Sequence, residues 1–450
     1  MSSTLQASAV LDVGRLIDER PFGRYQWLIA AICAAIVGMD GFDAQSIGFV
    51  GPVLAADLGI ARSAMGPLFS SSLLGMMVGS FAFGALADRV GRKPVLIACT
   101  LTFAVGSLLT ARASTYQALL VLRAVTGLGL GGTIPNAIAL TAEYAPGRIR
   151  AMTVMIMYCG VTLGAASGGF AAAALVEHFG WRSIFVVGGV LPCAAALLAA
   201  WALPESLRFL VLRQGPVKRI ARIVNRLSPA ATATATATAT AYTVGEPHAQ
   251  ASPVRELFAA GRTFPTLLLW LIFFMNLLDL YLLNNWLPTI MTQNGISFRA
   301  AAMITALFQL GGTVGALSIG RSMKREASFT ILALTNGGAC LAVLALGSAG
   351  VLAAIAATIF VAGFCVVGGQ LASNGVAADL YPTAIRSTGV GWAIGVGRIG
   401  SILGPVAGGW LLAAADFRHV FLAAALPPLL ACGAAICAAV IVRRGRLRAR

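Results

Sequence analysis

Residues 142–150 read AEYAPGRIR, and 236 positions later residues 378–386 read ADLYPTAIR, with acid, proline and terminal arginine in register. The offset recurs. WRSIF at 181–185 matches FRHVF at 417–421, and the glycine pattern GVTLGAASGG at 160–169 returns 240 positions on as GSILGPVAGG at 400–409. GALADRVGRK at 84–93 has a degraded counterpart in GALSIGRSMK at 315–324, where Ile319 stands in place of Asp88. A duplicated unit accounts for all four matches.

Each copy is built from membrane-length segments. The chain is 58% apolar and 11% charged, against about a quarter charged in soluble domains. Continuous apolar runs long enough to cross a ~30 Å hydrocarbon core fall at about 25–50, 64–87, 94–112, 116–140, 151–175, 183–203, 264–291, 299–320, 328–347, 351–377, 387–413 and 419–442. They lack the ten-residue alternation of a barrel. The predicted fold is therefore an all-α integral membrane protein of twelve transmembrane helices in two pseudo-symmetric six-helix bundles. The expected organisation is an N-terminal segment 1–24, a first bundle 25–203, a linker 204–262, a second bundle 263–442 and a basic tail 443–450. The linker holds the run ATATATATAT at 231–240, read as a flexible spacer, flanked by stretches able to form amphipathic surface helices.

A net charge of +16 raises the question of nucleic acid, and the position of the charges answers it. With the N-terminus inside, 25 Lys and Arg fall on the inner side, while the outer loops hold Arg62, Arg112, Arg182, Arg299 and Arg418. That split follows the positive-inside rule, so both termini are expected in the cytoplasm of a bacterial inner membrane and the basic tail faces anionic lipid, not nucleic acid. The first apolar segment is too long for a signal core and reads as the first span. Eight cysteines show no metal or redox spacing, and three isolated histidines sit at loops or span ends; no metal or cofactor is expected. GLGLGG at 127–132 lies within an apolar run after no strand, so it is helix-packing glycine and not a dinucleotide loop. The 51 glycines allow close helix contacts within one chain, and a monomer is expected.

Charges that remain inside apolar runs are functional candidates because hydrocarbon penalises them. Asp40 and Asp43 lie about 22 and 27 Å along the first span from Tyr25, three residues apart on one helix face. Two crowded carboxylates suit proton carriage. Arg123, early in the fourth span, reaches a comparable depth and can pair with them. Arg398 lies about 16 Å into the eleventh span, where it either has a carboxylate partner or awaits an anionic substrate. Asp279, in the seventh span, can serve as a proton site, a hydrogen-bond acceptor for substrate or the partner of Arg398. Asn285, Tyr281, Gln309 and Gln370 are further polar points in apolar helices, each also suited to joining helices.

GALADRVGRK resembles the signature loop of the major facilitator superfamily. DGFDAQSIGFVGP at 40–52, RAVTGLGLGGTIPNAIALTAEYAP at 123–146, PESLRFL at 204–210, NNWLPTIM at 284–291 and RSTGVGWAIGVGRIGSILGP at 386–405 extend the resemblance to the aromatic acid:proton symporters, including 4-hydroxybenzoate and protocatechuate carriers. The resemblance implies a gate around Asp88, Arg89 and Arg92, with the repeated acid and arginine of each copy, Glu143 with Arg150 and Asp379 with Arg386. It implies transport roles for Asp40, Asp43 and Arg123. Asp279 departs from the family pattern, where an apolar residue is usual.

The function expected is secondary active import of a small aromatic carboxylate by proton symport through alternating access. The alternatives are an exporter of drugs or metabolites and a membrane receptor that binds aromatic acids without moving them. No nucleophile–base or metal constellation supports an enzyme.

Overall fold

A computed structural model describes residues 9–227, 239–243, 254–259, 261–322, 328–347, 351–382, 385–414 and 417–448. The first half contains β1 (Ala9–Asp12), α1 (Val13–Asp18), α2 (Arg24–Asp57), α3 (Arg62–Val90), α4 (Arg92–Thr110), α5 (Tyr116–Tyr144), α6 (Arg150–Phe179) and α7 (Arg182–Ala202). The connector carries α8 (Leu207–Leu212), α9 (Val217–Leu227), β2 (Ala239–Thr243) and a 3-10 turn, Val254–Phe258. The second half contains α10 (Thr263–Gln293), α11 (Phe298–Ser322), α12 (Ser328–Leu346), α13 (Leu352–Leu380), α14 (Arg386–Ala414), α15 (Phe417–Ala424) and α16 (Leu426–Arg448). Twelve of the described helices are long and apolar enough to span a membrane, the last running from His419 to Arg443 across the α15–α16 junction. An even number of crossings puts both termini on one face, called here the terminal face.

Sequence accounts for the helix ends. Gly23 opens α2 in extended geometry, and the Gln26 side chain accepts from its N–H at 2.7 Å. Gly91 breaks the chain between α3 and α4 with φ +111°, a conformation that disfavours a Cβ. Thr115 caps α5 by accepting from the N–H of Ala118.

The repeat is visible in three dimensions at the same offset. Pro52 inside α2 corresponds to Pro288 inside α10, and α3, α4 and α6 begin 236 residues before α11, α12 and α14. Gly79 packs against the Leu128 carbonyl and Gly315 against the Phe364 carbonyl, again 236 apart. One expectation is thereby corrected. Gly315 is the counterpart of Gly79, not Gly84, so the match of GALADRVGRK to GALSIGRSMK is five residues out of register. The position equivalent to Asp88 is 324, outside the described residues, and Ile319 is no measure of what the second half has lost.

The halves touch most closely at the face opposite the termini. A Cβ on Gly66 of α3 would lie 2.8 Å from the Pro405 carbonyl oxygen of α14, and one on Gly48 of α2 would lie 2.9 Å from the Asn284 carbonyl oxygen of α10. Trp286 Nε1 donates to the Pro405 carbonyl at 2.8 Å, and its ring meets Phe69 edge-on at 5.2 Å. Ser70 Oγ donates to the Ile402 carbonyl at 2.6 Å. Toward the terminal face the same two helices part: Gly84 on α3 and Gly391 and Gly395 on α14 have no atom within 4 Å of where a side chain would begin.

The connector is more than a spacer at its ends. Ile220, Ile223 and Val224 of α9 are buried in the cluster that holds Ile29, Cys33 and Tyr144, while Lys218, Arg219 and Arg222 face out. Parallel pairing of β2 with β1 draws Ala239 and Thr240, the end of the alanine–threonine run, into a two-stranded sheet. The rest of that run, 231–238, lies outside the described residues.

Candidate functional site

Midway along α2, Asp40 and Asp43 are 1% and 0% exposed. Their surroundings differ. Arg123, on α5, is also fully buried, and its Nη1 lies 3.1 Å from Asp43 Oδ2. The contact is ionic and not aligned as a hydrogen bond; Nη2 instead donates to the Asp43 backbone carbonyl at 3.2 Å. Phe185 of α7 lies against the guanidinium, 5.5 Å from ring centre to Cζ. Both charges are therefore satisfied within the first half, and Arg123 has no exposed edge for a ligand in this state.

Asp40 has no such partner. Its Oδ2 is buried without a hydrogen bond; the charges that act on it are Asp43, of like sign on the same helix, and, less strongly, Arg398, of opposite sign on α14 of the other half. Arg398 is half-buried, forms no ion pair among the described residues, and also acts on Tyr158 of α6, which in turn senses Tyr281 of α10. Asp40, Tyr158, Tyr281 and Arg398 thus converge from both halves, where the helices separate toward the terminal face.

The remaining polar candidates sort by what they already hold. Gln309 Nε2 donates to Asn284 Oδ1 at 2.8 Å, tying α11 to α10. Asn285 Nδ2 donates to the Tyr281 carbonyl at 2.7 Å, and its Oδ1 lies beside Gly48 at the closed face. Gln309 is thus a joint between helices, whereas Asn285 bonds within its own helix beside α2. Gln370 on α13 keeps a buried Oε1 without a partner. Asp279, 1% exposed, has neither oxygen hydrogen-bonded and no ion pair to Arg398; the titratable side chain that senses it is Cys340 of α12.

The expected gate residues form a network at the terminal end of the first half. Arg92 Nε is 3.1 Å from Glu143 Oε1, and its Nη2 is 3.7 Å from Asp88, which is largely exposed. Sequence reading missed the centre of this network. Glu205 Oε1 accepts from the backbone N–H groups of Arg92 at 2.9 Å, Lys93 at 3.1 Å and Ser206 at 2.8 Å, capping α4 from the connector. Ser206 Oγ donates to Glu143, and the Tyr144 hydroxyl donates to the Glu205 carbonyl at 2.6 Å. The available signal was PES at 204–206 ahead of an apolar stretch, an acid and an N-cap serine at a helix start. Arg150 lies 3.8 Å from Asp18, and Asp379 accepts from Ser328 Oγ at 3.4 Å. Among the described residues Arg89 and Arg386 are exposed and join no ion pair, so neither is part of this network.

A family model described as Major Facilitator Superfamily matches residues 13–254 and 269–449. The chain is 43% identical over 410 residues to a gallate transporter of Pseudomonas putida, covering 90% of this chain and 89% of the relative. It is 41% identical over 425 residues to the 4-hydroxybenzoate transporter PcaK of the same organism, covering 94% of each. Among solved structures, a bacterial homolog of the human lysosomal transporter Spinster, inward-facing and unoccupied, matches with a TM-score of 0.69 at 17% identity, covering 93% of this chain and 98% of that one. The xylose transporter XylE from E. coli, partially occluded and inward-open, matches with a TM-score of 0.70 at 14% identity, covering 94% and 98%.

Proposed function

This chain belongs to the major facilitator superfamily, and from that premise we propose that it imports a small aromatic carboxylate together with protons, by alternating access, across a bacterial inner membrane with both termini in the cytoplasm. One observation carries the proposal: Arg398, on one half and in no ion pair among the described residues, acts electrostatically on the buried carboxyl of Asp40 on the other half. The relatives named for gallate and 4-hydroxybenzoate supply the substrate class.

The geometry supports a simple coupling. Without substrate, Arg398 and the carboxylate of Asp40 balance each other. A substrate carboxylate takes the planar fork of Arg398 bidentately. Asp40 then loses its counter-charge in a low-dielectric site and takes up a proton, so anion and proton occupy the protein together. Tyr158, Tyr281 and Gln370 offer polar edges for ring hydroxyls. Asp43, held by Arg123, keeps α2 and α5 in register beside Asp40 and tunes it. With the terminal face cytoplasmic, as proposed, a state in which α3 and α14 part on that side faces inward, and the network of Arg92, Glu143 and Glu205, intact here, meets the second half when that face closes.

Uptake of radiolabelled 4-hydroxybenzoate into cells expressing the chain, with and without a proton uncoupler, tests the reading. Accumulation that collapses with uncoupler supports it. Accumulation that rises with uncoupler indicates export, and binding without uptake indicates a receptor.

A further inference from the structure

The 236-residue offset that aligns the helices also aligns DGFD at 40–43 with NLLD at 276–279. Asp279 is the second half's copy of Asp43. The copy of Arg123 is Ile359, fully buried, and the copy of Phe185 is Phe421, 1% exposed. The second half thus carries the acid without the counter-ion, hydrocarbon standing where Arg123 stands in the first half. Asp279 is 1% exposed with both oxygens unpartnered, at a depth where an isolated carboxylate is costly and a carboxylic acid is not.

The surroundings hold no fixed cation that could replace Ile359. Among the described residues, Cys340 on α12 is acted on by Asp279, the helices packed on α10 add the thiols of Cys365 on α13 and Cys432 on α16, and Arg398 on α14 acts on Asp40 of α2. Unpartnered polar atoms lie nearer the terminal face than Asp279 does. Asn276, three residues nearer that face, has a buried Nδ2 without a partner, 3.7 Å from where a Gly369 side chain would begin. Gln370 Oε1 and Asn374 Oδ1, one turn apart on α13 in the same direction, are likewise unpartnered. Unfilled donors and acceptors of this kind offer places where water can bind between the terminal face and the depth of Asp279.

We propose that Asp279 is a second proton-binding site, carrying one proton per transport cycle in addition to the one on Asp40. This rests on the symport reading above and adds its stoichiometry. One proton per aromatic monoanion makes transport electroneutral; two bring a net positive charge inward, so the membrane potential itself drives accumulation. The second proton is worth roughly 50-fold in accumulation per 100 mV.

The test uses purified full-length protein in liposomes, with 4-hydroxybenzoate as probe, and records proton uptake and charge movement together. Wild type should take up two protons per anion with an inward current. D279N should still take up the probe, at one proton per anion, with the current lost and the roughly 50-fold response to 100 mV gone; D279E should keep both. An unchanged current and ratio in D279N, or an electroneutral wild type, overturns the proposal. A wild type that moves no protons overturns symport itself, a separate failure. If D279N shows no net uptake, exchange of labelled for unlabelled probe decides, since exchange needs no net proton movement. Retained exchange supports the proton role, and its loss in correctly folded protein makes Asp279 structural and ends the proposal.

Discussion

Arg123 Nη1 stands 3.1 Å from Asp43 Oδ2, and neither side chain has any exposed surface. A pair so enclosed is sensitive to the loss of one member, because the other remains charged in hydrocarbon. R123Q should lower stability by about 3–5 kcal/mol, and D43N together with R123Q should restore much of it. Melting of the detergent-solubilised protein measures both; equal stability of the single and double variants would falsify the pairing.

Asp40 has no ion-pair partner within its half, and Arg398, which balances it from the other half, is only half-buried, so removing the carboxylate strands no fully buried ion. D40N should therefore insert and fold normally while losing proton-driven uptake, and should keep substrate exchange. Undiminished uptake against a gradient would move the coupling proton elsewhere.

At Arg398 the shape of the cation matters more than its charge. R398K should weaken apparent affinity on the order of tenfold, about 1.4 kcal/mol. Since Asp279 is not its partner in this structure, R398A should not be rescued by adding D279N. Rescue of transport in the double variant would restore Asp279 as the counter-ion.

Glu205 holds three backbone N–H groups with one oxygen. E205A leaves them without an acceptor and should cost about 1–3 kcal/mol, whereas E205Q, which retains a carbonyl oxygen, should cost less. Thermal unfolding ranks the two, and equal losses would mean that the capping is not what stabilises this corner.

Much of this architecture is legible in the sequence because hydrocarbon is an intolerant solvent. Twelve apolar runs, the 236-residue repeat and the few charges inside the runs each stand out without knowledge of packing. What the sequence withholds is rotation. Asp279 and Arg398 lie at compatible depths, and only the way α10 and α14 turn about their axes puts one within electrostatic reach of Cys340 and the other within reach of Asp40. Gln309 and Asn285 are equally polar on paper as joints or as ligand contacts. Glu205 was hidden for another reason: outside the spans an acid is ordinary, and its importance comes from the α4 terminus that the Gly91 turn brings to it.

The seal between the halves at Gly48 and Gly66 is made by backbone against backbone. Side chains can be exchanged for larger or smaller ones, but a glycine can only gain atoms. Mutation at these two positions therefore has one direction: every replacement is a wedge that favours opening toward the face opposite the termini, and none can tighten the closed form. Chance sequence drift in this protein is consequently biased toward one conformational state.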